Sequence, residues 1–97
     1  MKSYNIFKEY EQIDKNDYTR LTKLYLCYTL DSLELFKNFD FTDEFIQILY
    51  DAYLKNQNYC DIVAYCKAVS DFFEVENISP ADVKTAEQLY NILKEIY

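Results

Sequence analysis

The sequence predicts an all-α fold, a compact single-domain bundle of about five short helices around a central helix at 18–37, with residues 1–97 forming one unit. Three observations carry that expectation. Glycine is absent and proline occurs once, so the residues that supply hairpin corners and left-handed turns are almost missing. Apolar residues recur at three- and four-residue spacings along most of the chain, the period of a helix with one buried face. In LTKLYLCYTLDSLELF, from Leu21 to Phe36, apolar side chains cover so much of the circumference that other elements must surround it.

The first helix is expected over 4–13. Ser3 can cap it, and Ile6, Phe7, Tyr10 and Ile13 make a one-sided apolar strip suited to a lid. DKND at 14–17 interrupts the pattern, and Asp17 is a good N-cap for the central helix. At 100° per residue, Leu21, Leu24, Tyr25, Tyr28, Leu35 and Phe36 fall on one side of that helix, and Leu26, Leu30 and Leu33 on the adjoining flank. Arg20, Lys23, Cys27, Asp31 and Glu34 make the narrow polar stripe.

Thr42 should cap a third helix at 43–55, with Asp43 and Glu44 at the positive end of its dipole and Phe41 stapled to Ile46. Its core face is Phe45, Ile48, Leu49, Ala52 and Tyr53. NQN at 56–58 is a turn, and Asn58 is the expected cap of a fourth helix at 59–75, whose stripe is Tyr59, Ile62, Cys66, Val69 and Phe73. ENISPADV then announces a fifth helix at 80–96, with Ser79 at N-cap, Pro80 at N1 and Ile78 stapled to Val83. Val83, Ala86, Leu89, Tyr90, Leu93, Ile96 and Tyr97 share its apolar face.

Composition excludes several chemistries. Without glycine there is no phosphate loop, dinucleotide-binding turn, calcium loop or nucleophile elbow of the glycine-dependent kinds. With no histidine, and with Cys27, Cys60 and Cys66 spaced by 33 and 6 residues, the usual zinc sets and imidazole-based catalysis are missing. The expectation is therefore a protein that is not an enzyme, needs no metal or cofactor, and keeps its thiols reduced in the cytoplasm. No signal-peptide core and no stretch of ~20 apolar residues points to a membrane.

The net charge of −7 is uneven. Residues 1–23 hold five basic and four acidic side chains, whereas residues 24–97 hold five basic and thirteen acidic. Segments 38–54 and 68–83 contain no basic residue at all. Such a field repels phosphate backbones, so direct nucleic-acid binding is not expected, while a basic protein surface is attracted. A helix-turn-helix reader is disfavoured for the same reason, since neither candidate recognition helix is basic.

The expected partner-binding residues are Asp40, Asp43, Glu44, Asp51, Asp71, Glu74 and Glu76, with Tyr50 and Tyr65 beside them. Glu44 and Asp51 lie seven residues apart on one side of a helix, about 10 Å along its axis, a spacing that can meet a row of Lys or Arg. Eleven tyrosines and seven phenylalanines exceed what a small core hides easily, although a coding bias toward Tyr, Asn, Lys and Ile produces the same excess. Tyr18, Tyr25, Tyr50, Tyr65 and Tyr97 are expected at partly exposed margins, where amphipathic rings favour interfaces.

In size and charge the chain is similar to small acidic helical inhibitors, such as bacteriocin-type immunity proteins and phage anti-defence proteins. That resemblance implies an inhibitor or neutraliser that docks on a basic partner, including the basic groove of a nucleic-acid-binding protein. The alternative expectation is a structural subunit that forms a homodimer through an apolar helix face; if the lid helix near Phe7 does not cover the Leu26, Leu30 and Leu33 flank, that flank is the place for a second chain.

Overall fold

The computed structural model describes residues 6–56, 58–59 and 61–96. Among them the helices are α1 (Ile6–Gln12), α2 (Tyr18–Ser32), α3 (Asp43–Lys55), α4 (Ile62–Val75) and α5 (Ala86–Ile96), with 3₁₀ turns at Glu34–Phe36 and Pro80–Asp82 and no strand. The all-α expectation holds. A radius of gyration of 12.8 Å is that of a single compact domain of this length. The Ser3 cap, the expected start at Tyr4, the side chains of Ile6 and Phe7, Cys60 and Tyr97 lie outside the described residues.

Asp17 opens α2 as expected, its side chain accepting the Arg20 backbone N–H at 3.1 Å. The helix then ends at Ser32, five residues before the expected 37. The Ser32 hydroxyl donates to the Thr29 carbonyl at 2.6 Å, a local bond that competes with the helical ladder. Leu33 is extended at φ −87° and ψ 137°. A 3₁₀ turn and a left-handed Asn38 at φ 68° then redirect the chain, and Phe36 is carried into the core.

Leu26, Cys27 and Leu30 of α2 are fully buried. Cys27 therefore leaves the polar stripe assigned to it and joins the core, because α3 and α4 both pack on α2 and close over that side. Around this seam gather Phe36, Phe41, Phe45, Leu49, Tyr65, Cys66, Val69, Phe73 and Leu89. The rings interlock at close range, with Phe39 and Phe45 centroids 4.6 Å apart and Phe36 and Phe73 5.3 Å apart, geometries worth about 0.5–1.5 kcal/mol per pair beyond burial.

α3 keeps its expected bounds. Thr42 accepts the Phe45 N–H at 3.2 Å, Asp43 and Glu44 occupy the first turn, and Lys55 the last. Phe41 and Ile46 are both buried, as a staple requires. α4 starts at Ile62 instead of Tyr59. The Asn58 N–H is bonded to the Asn56 side chain in a local turn, and Asp61 caps the helix by accepting the Val63 N–H at 2.9 Å.

Glycine's usual work at a helix C-terminus is done by asparagine. Ile78 donates to the Phe73 carbonyl at 2.8 Å and Asn77 to the Glu74 carbonyl at 3.0 Å, while Asn77 sits at φ 57°. These are the two bonds of a Schellman motif, with Asn in the left-handed position.

The fifth helix also starts later than expected. Ser79 does cap, but it opens only a single 3₁₀ turn, after which Val83 is extended. α5 begins at a second signal, where the Thr85 hydroxyl accepts the Gln88 N–H at 3.1 Å and the Gln88 side chain accepts the Thr85 N–H at 3.0 Å. This reciprocal pair is a capping box. α5 packs mainly on α3 and to a lesser extent on α4, so the cover of α2 comes chiefly from α1, α3 and α4.

Candidate functional site

The seven expected carboxylates are all on the surface. The fold does not gather them into one patch. Asp40 and Glu44 line a groove of about 480 Å³ against the start of α5, with Lys84 on its far side. Asp43 lies in another groove, with Glu9, Arg20 and Lys23. Asp51 accepts the Gln47 amide at 3.0 Å and shares a third groove with Lys55 and Lys94. Glu74 faces Asp82 across the Schellman turn.

The two tyrosines paired with these acids differ. Tyr50 is half-buried where α2 meets α3, its hydroxyl 3.5 Å from the Thr19 hydroxyl and the Lys23 ammonium 5.3 Å from its ring centre. Lys23 also donates to the Gln47 side chain at 2.6 Å. Tyr65 is no surface residue at all. It is fully buried, edge-on to Tyr53 at 5.4 Å, with its hydroxyl 3.5 Å from the Leu49 carbonyl. Cys66, Val69 and Phe73 of the expected α4 stripe are buried, but the buried arc is wide enough to take in Tyr65 on one margin and Ser70 on the other, so Tyr65 points inward and cannot meet a partner.

A different surface emerges on α2. Tyr18, Tyr25 and Tyr28 are 75%, 49% and 51% exposed, and Tyr10 of α1 is 53% exposed. Together with Leu21, Leu24 and Ile62 they line an open groove of about 540 Å³ between α1, α2 and the start of α4. Lys15 stands 3.7 Å from the Tyr10 ring centre and also donates to the Tyr10 carbonyl. The spacing 18, 21, 25, 28 marks one helix face, and the sequence displays it plainly. Tyr18 and Tyr25 are exposed as expected, Tyr28 is exposed with them, and Leu24 beside them is buried; the fully buried side of α2 is that of Leu26, Cys27 and Leu30. The flank expected to receive a second chain is thus sealed at Leu26 and Leu30.

No protein-family model, curated protein or solved structure matches the chain.

The remaining chemistry is quiet. No group of three or more potential metal ligands occurs among the described residues. Cys27 and Cys66 are free and buried. Burial pushes both thiols from 9.0 up to about 12, with the neighbouring Cys66 adding to the effect at Cys27 and Asp61 at Cys66. A thiol held so far from ionisation is a poor nucleophile near neutral pH. No described helix is long and apolar enough to cross a membrane.

Proposed function

We propose that the protein is a small acidic helical binding module that docks on a basic surface of a partner protein and inhibits or neutralises it, without catalysis. The observation that carries this reading is the acidic end of α4. Asp71, Glu74 and Glu76 stand at the C-terminal part of the helix, whose last turn contains no basic residue. All three are exposed and have no ion-pair partner among the described residues. Carboxylates at the negative end of a helix dipole cost about 0.3–1 kcal/mol each. Asp43 and Glu44 have a structural role at the start of α3; these three have none, and they are placed against the local field.

A basic partner supplies the missing counter-charge. Asp82, across the turn from Glu74, extends the same acidic rim, while Asp40 and Glu44 present a separate carboxylate pair. The test is retrieval of a partner from the native host, followed by titration at rising salt. Binding should weaken with salt. The double variant Asp71→Lys, Glu74→Lys should lose most of it while melting no lower than the parent, because the new charges suit the helix dipole. Binding that ignores both salt and this charge reversal overturns the reading.

A further inference from the structure

We infer that the tyrosine face of α2 is a self-association surface, occupied by the same face of a second copy of this chain. That face is distinct from the acidic end of α4, and its role does not depend on acidic docking there.

Area is the first support. A tyrosine side chain offers roughly 200 Å², so exposures of 53%, 75%, 49% and 51% at Tyr10, Tyr18, Tyr25 and Tyr28 leave about 450 Å² of ring surface per chain on that scale. Patches of this size on a monomer are commonly interaction sites. Two such faces, with Leu21 and Ile62 at their margins, bring the buried total to about 1,000 Å², the lower bound of a specific interface. A reversible, weak dimer is the outcome that such an area supports.

Charge selects the same face. Two copies of a chain carrying −7 repel each other, and most faces would bring carboxylates together. The side chains that line this face include no charged group, and Arg20 and Lys23 are engaged elsewhere, by Glu9 and Gln47, so two copies meeting here bring no carboxylates of the lining together. A basic partner, which the acidic faces favour, gains nothing here. Shape agrees as well. Tyr25 and Tyr28 are already stacked at 6.5 Å with their planes 27° apart, and a two-fold axis would set an identical pair against them in an isologous contact.

Salt gives the decisive sign. Screening relieves repulsion between acidic chains, so self-association should strengthen as salt rises, whereas docking of carboxylates on a basic partner should weaken. Sedimentation equilibrium on the full chain, from about 10 μM to about 1 mM, spans the weak affinities expected of an interface this small. The mass should climb from 11.7 kDa toward twice that value, and climb further at higher salt. Tyr25→Glu with Tyr28→Glu should weaken association at least tenfold, and the milder Tyr18→Ser a few-fold, with far-ultraviolet circular dichroism unchanged. The Asp71→Lys, Glu74→Lys variant should still associate. A chain that stays monomeric across this range in high salt overturns the inference, whether a foreign helix or another segment of the chain then covers the face. Association that survives both tyrosine variants overturns it as well.

Discussion

The two sides of α2 make an instructive pair. One carries Leu26, Cys27 and Leu30, all fully buried under α3 and α4. The other carries Tyr18, Tyr25 and Tyr28, each about half exposed or more. Both are rich in apolar carbon, and a residue count that classes tyrosine as apolar treats them alike. They differ in what burial would require. A leucine side chain has no polar atom to satisfy, whereas a buried phenol must find a hydrogen-bond partner for its hydroxyl. Tyr65 has the Leu49 carbonyl within reach and goes inside; the α2 tyrosines stay about half exposed or more.

Four effects would break or sharpen this contrast. The largest effect belongs to Leu30→Ala, which should lower unfolding stability by about 2–5 kcal/mol, as large-to-small changes in sealed cores do; urea denaturation reads it directly. A loss below about 1 kcal/mol would mean that the leucine side is not tightly packed. Next comes Cys27→Ser, which places a hydroxyl in the same apolar seam and should cost about 1–3 kcal/mol.

The third effect concerns pH. Because folding raises the two buried thiols from 9.0 to about 12, the unfolded chain loses those protons first. Their contribution to stability is complete below pH 9 and disappears as pH rises toward 12. Denaturation across that window should show the decline, and Cys66→Ala should make it shallower. Alkylation at about pH 8, below the usual thiol range, should leave both sites unmodified in the folded chain and label them once urea unfolds it. The smallest effect is expected at Tyr28→Ser, within about 0.5 kcal/mol of the parent by the same urea assay, as for most exposed sites. A larger loss would show that the tyrosine side belongs to the core after all.

What could be read beforehand depended on how local each signal is. α3 was legible end to end because its cap, first-turn acids and apolar stripe lie close together in the chain and agree with one another. The end of α2 was not, since neither glycine nor proline marks it; a serine bonding back to Thr29 and the space available for Phe36 decide it. The true start of α5 was present as Thr85-x-x-Gln88, but the stronger-looking Ser79-Pro80 start lies upstream of it and yields only a 3₁₀ turn. Exposure of the seven carboxylates was also legible. Their division among separate grooves was not, because it depends on how α3, α4 and α5 are set around α2.

The two left-handed asparagines, Asn38 and Asn77, show how the fold turns without glycine, and this shapes the unfolded state more than the folded one. A chain of this length ordinarily contains about seven glycines; here there are none. Each glycine replaced by a residue with a Cβ at a compatible position narrows the unfolded ensemble by about 0.4–1 kcal/mol. Over several positions the difference is on the order of a few kcal/mol, comparable with much of the net stability of a small domain. The strain at two asparagines is thus offset by a disordered state with fewer conformations to populate, and a core of modest size needs to supply correspondingly less.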